Sequence, residues 1–197
     1  MTIISAALLL FLILDPLGNV PVVLGLLRPL SPERQRKIII REVFIAFVVL
    51  MIFLWFGKYA LDVMHLEQQS VAIAGGIVLF LIGIRMIFPP PEGIMGELPD
   101  GEPFIVPLAV PMIAGPSGMA TVMLMGTQYP GREWDWSLAL LIAVVATAVI
   151  LLSSTMLYKL LGPRVLIAVE RLMGMLLVAI SVQMFLDGIK TYVGSVP

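Results

Sequence analysis

Cysteine is absent from this chain, and histidine occurs once, as His65. Without cysteine there are no disulfides, thiolate metal sites or thiol nucleophiles. One histidine cannot by itself build a His-based metal centre. Charge is scarce as well: 13% of the 197 residues are charged, about half the share of a soluble domain. The net charge of −1 supplies no basic field for nucleic acid. No nucleotide-binding motif is present and no cofactor is expected. No nucleophile with a base, and no catalytic pair of acids, stands out, so the chain does not read as an enzyme.

What is there is apolar. Hydrophobic residues make up 60% of the chain, which places it among all-α integral membrane proteins. The first apolar run, Ile3 to Leu27, has no Lys or Arg before Arg28. It lacks the basic start of a signal peptide and is too long for one, so it reads as a retained first helix. Five more helices are predicted: about Ile38–Leu61, Ser70–Phe88, Phe104–Gln128, Trp136–Leu161 and Val165–Tyr192. Arg28 to Arg41 is a basic connection in which Ser31-Pro32 marks a helix start. Pro89 to Pro103 is an acidic, proline-rich loop joining two halves. Gly162-Pro163 separates the fifth helix from the sixth, Ala74, Gly75, Gly76 and Gly83 mark a close packing face, and Trp134 and Trp136 suit an interfacial belt.

The first helix is interrupted at Asp15-Pro16-Leu17-Gly18-Asn19-Val20-Pro21. One hundred positions later the fourth carries Gly115-Pro116-Ser117-Gly118-Met119-Ala120-Thr121, with Pro16 opposite Pro116 and Gly18 opposite Gly118. Gly76 to Ile87 also aligns with Gly174 to Phe185. The chain therefore reads as two three-helix repeats, 1–88 and 104–197, joined by 89–103. An odd number of crossings per repeat inverts the second copy. Placing the N-terminus outside leaves Arg28, Arg34, Arg36, Lys37, Arg41, Arg85, Lys159, Arg164 and Arg171 inside, against Lys58, Arg132 and Lys190 outside. Nine against three puts both termini on the outer face.

Paired interruptions in corresponding halves are the sequence mark of a midplane site built from broken helices. Pro16, Gly18, Pro21, Pro111, Gly115 and Pro116 are the predicted breakers. Asp15 followed by Pro16 suits an N-cap and first helical residue, and both half-helix starts would offer free amides and a positive dipole end. Asp15 is a candidate for an ammonium group or a coupling ion, proton or sodium. Ser117 and Gly118 are candidates for a carboxylate. Asn19 and Thr121 extend the polar lining, and Gln183 joins it from the sixth helix. Asp187 reads as interfacial, paired with Lys190. The competing interpretation makes Asp15 a helix cap alone.

These motifs, with Pro107-Leu108-Ala109-Val110-Pro111, Glu170-Arg171-Leu172-Met173-Gly174 and Gln183-Met184-Phe185-Leu186-Asp187-Gly188-Ile189, resemble the MarC family of bacterial inner-membrane proteins. The resemblance covers nearly the whole chain. It implies six transmembrane helices, a place near amino-acid-exporter-like transporters and, for some relatives, transport of neutral amino acids. The expected partners are the lipid bilayer, a small solute and a coupling ion. A channel and a non-transporting scaffold are the rival classes, and assembly into a homo-oligomer is left open.

Overall fold

The computed structural model describes residues 1–27, 29–63, 68–89, 103–129 and 131–195. Within its helices, the side chains of 58, 60–62, 68, 71–72, 128, 155–166, 169–170 and 192–195 lie outside that description. So do His65, most of the acidic loop and the Glu170 side chain. Among the described residues six α-helices follow in order: α1 (Ile3–Leu14), α2 (Pro16–Leu27), α3 (Pro32–Val63), α4 (Gln68–Ile87), α5 (Pro116–Gln128) and α6 (Glu133–Ser195). A kinked π segment, Leu108–Ile113, with extended backbone at Val110 (φ −132°, ψ 130°), precedes α5. There is no β-strand among the described residues.

Among the described residues four stretches are long and apolar enough to cross a membrane: Ile3–Leu27, Pro32–Gly57, Glu133–Ser154 and Arg171–Thr191. Ile73–Ile87 is a shorter apolar helix. Proline at the first helical position starts α3 at Pro32, so the basic connection is itself helical and the helix begins earlier than Ile38. Its buried stripe, Ile38, Glu42, Ala46, Leu50 and Leu54, recurs every four residues. Ile40, Phe44, Val48 and Ile52 stay exposed on the other side, as a lipid-facing surface requires.

Helical backbone continues through Gly162-Pro163, which sequence alone expects to end the fifth helix. A straight run would still place Ser137 and Gly188 about 77 Å apart at ~1.5 Å per residue. The Trp55 indole nitrogen donates to Ser137 Oγ at 3.1 Å, and Gly188 packs on Ile73. Trp55 and Ile73 are joined by 18 residues that span at most about 38 Å. The run therefore turns back, and its two apolar spans are separate crossings of opposite direction. The second lies tightly along α4: a Cβ at Gly83 would stand 2.9 Å from the Gly174 carbonyl oxygen, and one at Gly174 would stand 2.9 Å from that of Gly83.

Directions elsewhere follow from contacts at the two ends. At the Met1 face, the Arg132 guanidinium donates to the Met1 carbonyl at 3.1 Å, and Trp55 stacks edge-on to Trp134. At the Leu27 face, the Gln35 amide donates to the carbonyls of Leu27 (3.0 Å) and Leu30 (2.9 Å), closing the end of α2. Here too the Glu42 carboxylate receives the Ile105 amide at 2.9 Å. So α1 and α2 run from the Met1 face to the Leu27 face. The π segment and α5 run the other way. Trp134, 77% exposed, fits an interfacial belt, whereas Trp136 is fully buried against Tyr129 and Arg132 rather than in the belt.

Candidate functional site

The first break is a backbone repair made by its own side chains. Asp15 ends α1 in the left-handed conformation (φ 42°), which Asp tolerates better than most residues. Its Oδ1 accepts the Gly18 amide at 3.1 Å, three residues on, and so caps α2. Asn19 reaches back and donates to the Leu14 carbonyl at 2.9 Å, closing α1. Gly18 leaves room for the cap, because a Cβ there would lie 2.2 Å from Asp15 Oδ2 and displace the carboxylate. Each free end of the broken helix thus gains one side-chain partner, from Asp15 at the start of α2 and from Asn19 at the end of α1.

The second break is built differently. Pro107 and Pro111 lack amide hydrogens, so no regular helical ladder can run through them. The chain widens its turns instead: the Val110 amide donates to the Ile105 carbonyl (3.0 Å), Met112 to Pro107 (3.2 Å) and Ala114 to Ala109 (2.8 Å), each five residues back. Gly115 then starts α5 in extended conformation without a side-chain cap, and Pro116 takes the first helical position. The Ser117 and Gly118 amides therefore have no acceptor among the described residues.

Both breaks meet on one cavity of about 270 Å³. Asp15, Gly18, Asn19, Pro111, Gly115, Pro116 and Ser117 line it, with an apolar wall from Leu79 of α4 and from Leu177, Ile180 and Met184 of α6. Gly75 brings α4 against the second break, since a Cβ there would stand 2.9 Å from Pro116 Cγ. The other expected site residues lie elsewhere. Gly118 packs between Leu50 and Leu14. Thr121 donates its hydroxyl to the Ser117 carbonyl at 2.8 Å within α5. Gln183 lies on an exposed face of α6 and donates to Asp187 Oδ1 at 2.9 Å. Pro21 is buried within α2. Asp187 and Lys190 form no ion pair with each other.

Two polar positions escaped the sequence. Glu42 lies next to Arg41 in a basic stretch and resembles a surface acid, yet it is 1% exposed. The four-residue spacing from Ile38 to Leu50 was the available sign. Gln35 is buried too, and its spacing from the end of α2 gave no warning. Among the described residues no group of His, Cys, Asp or Glu could hold a metal ion.

The cap at Asp15 separates charge from hydrogen bonding experimentally. Asn is as good an N-cap as Asp, so Asp15→Asn should stay within about 0.5 kcal/mol of the parent, whereas Asp15→Ala should lose about 0.5–2 kcal/mol. Thermal unfolding of the two variants in the same detergent measures the difference. Equal stability of both would mean that the cap contributes nothing.

Several apolar helices long enough to cross a bilayer define a multi-pass integral membrane protein. Residues 1–193 match the profile of the MarC family of integral membrane proteins, and the chain belongs to that family. It is 50% identical over 191 residues to the UPF0056 inner membrane protein YhgN of Escherichia coli (strain K12), covering 96% of this chain and 97% of YhgN. A UPF0056 membrane protein of Buchnera aphidicola subsp. Schizaphis graminum (strain Sg) is 48% identical over 190 residues, with 96% and 97% covered. One from Pyrococcus abyssi is 30% identical over 185 residues, with 92% and 90% covered. No solved structure matches the chain.

Proposed function

We propose that this protein is a secondary transporter of a small solute, a neutral amino acid in the first instance, and not an enzyme. The observation that carries the reading is the meeting of two oppositely directed helix breaks on one cavity. In this reading residues 1–88 and 104–197 are inverted three-helix repeats, and their relative rocking exposes the cavity to each side in turn. The uncapped start of α5 holds the substrate carboxylate through the Ser117 amide, the member of the predicted pair that lines the cavity. Asp15 keeps one oxygen in its cap and turns the other towards an ammonium group or a coupling ion. A cavity of about 270 Å³ stands just below the usual range for ligand pockets, ~300–1,000 Å³, which suits a small solute. The bias of Lys and Arg supports an inner-membrane orientation with both termini periplasmic.

Thermal stability of the purified protein against a panel of amino acids tests this. A ligand at a hundred times its Kd raises stability by about 2.7 kcal/mol. The expected result is a shift with one class of amino acid, reduced in Asp15→Asn. No shift with any amino acid would refute the substrate class, and a shift untouched by that variant would put the site elsewhere. Saturable flux in vesicles is expected of a transporter, and flux that never saturates would instead identify a passive channel.

A further inference from the structure

Asp187 lies inside the last apolar span, Arg171–Thr191, where an ionised carboxylate needs water, a partner or a ligand. Its expected partner is not there, since no ion pair links it to Lys190. Oδ1 accepts the Gln183 amide at 2.9 Å, and Oδ2 has no partner among the described residues. The Thr191 hydroxyl donates to the Asp187 main-chain carbonyl rather than to its carboxylate. The residue opens into a second cavity of about 320 Å³, shared with Gln69, Ser117, Ala120, Met184 and Thr191. Among the described residues no Lys or Arg lines that cavity. A cation entering it meets the Asp187 carboxylate and neutral oxygens of Gln69, Ser117 and Thr191.

This cavity is not the one that holds Asp15. The two have Pro116, Ser117 and Met184 in common and share no other lining residue. The first turn of α5, with Met184 opposite, is therefore a partition with one carboxylate on either side. Gln69 and Thr191 place the Asp187 cavity towards the Met1 face, at the start of α4 and the end of α6. We propose that it is a second binding site, specific for a monovalent cation or a primary ammonium group held at Asp187, from which the bound group crosses the Pro116–Ser117 partition to Asp15. The identity of the passing group rests on the transporter reading. The existence of a cation site at Asp187 does not.

A chain without cysteine allows a clean test. Ala120→Cys places one thiol across the cavity from Asp187 with little change in size. In nanodiscs its rates of modification by a cationic and an anionic methanethiosulfonate reagent are compared, with and without Asp187→Asn. For a monovalent reagent about 6 Å from a unit charge in water, Coulomb's law gives about threefold for each sign and so about tenfold in the ratio. The expected result is preference for the cationic reagent, reduced about tenfold by Asp187→Asn and much less by Asp15→Asn. Ethylammonium chloride should slow the cationic reagent only when Asp187 is present. Equal slowing by sodium would assign the site to an inorganic cation, and slowing by ethylammonium alone to an ammonium group. An unchanged ratio in Asp187→Asn, a thiol closed to both reagents, or no slowing by either cation would overturn the proposal. None of these readings depends on transport, so failure of the amino-acid panel and failure here are separate results.

Discussion

Arg41→Ala should destabilise the protein by about 1–3 kcal/mol, the cost of a lost charged hydrogen bond discounted for the solvent that reaches Arg41, the more exposed member of its pair. The reason lies with the residue left behind. Glu42 is 1% exposed. Its Oε1 receives the Arg41 Nε at 2.8 Å and its Oε2 the Ile105 amide at 2.9 Å. Arg41 also donates to the Pro103 carbonyl and lies over the Phe104 ring, 5.1 Å from its centre. The pair thus ties α3 to the segment Pro103–Ile105 that leads into the second break. Removing the guanidinium leaves a carboxylate in an apolar stripe with one neutral donor. Adding Glu42→Gln to Arg41→Ala removes that uncompensated charge and should recover much of the loss, while the amide oxygen still accepts from Ile105. Chemical or thermal unfolding of the singles and the double closes the cycle. Arg41→Ala unfolding like the parent would mean that the tie adds no stability.

Gly126→Val is expected to prevent folding or to cost more than about 3 kcal/mol, at or beyond the upper end of overpacking effects. A Cβ at Gly126 would lie 2.3 Å from the Leu54 carbonyl oxygen. That atom is main chain in the middle of α3, so no rotamer change relieves the clash, and the two helices must separate. Close approach through small residues is how helices associate in lipid, where water supplies no drive between them. Gly131→Ala is the contrast. Nothing stands within 4 Å of a Cβ there, but φ is +87°, so only conformational strain of roughly 1–2 kcal/mol opposes it. The recovery of folded protein after size-exclusion chromatography ranks the two variants. Gly131→Ala more damaging than Gly126→Val would show that strain, not contact, governs these positions.

Both interruptions were legible in the sequence because proline and glycine act through local geometry. Proline lacks an amide hydrogen wherever it sits, and Pro16 and Pro116 restart helices as the motifs imply. The tight seam of α4 was legible for the same reason, since Gly76 and Gly83 have no side chain to hold a neighbour away. Which way a polar side chain faces was not. The apolar composition of α6 runs all round the helix, so no periodicity told that Gln183 would turn outward to Asp187. Asp15 and Asn19 looked like ligands, and part of their hydrogen bonding is spent on main-chain atoms a few residues away. That local use depends on φ and ψ at the break, which composition does not encode. Glu42 was hidden by its charged neighbours, although its register with Ile38 and Ala46 put it on the buried stripe.

The thin partition formed by Pro116, Ser117 and Met184 also has an electrical meaning. A membrane potential falls mainly across the part of a path that water does not fill. With both cavities hydrated, the field is concentrated across that one turn of α5 and the methionine facing it. A charge carried from Asp187 to Asp15 would then traverse most of the potential in a short step, exchanging up to about 2.3 kcal/mol per elementary charge for each 100 mV. The same turn would serve as the dielectric of a small capacitor, so that modest shifts of α5 against α6 correspond to large changes in electrical work.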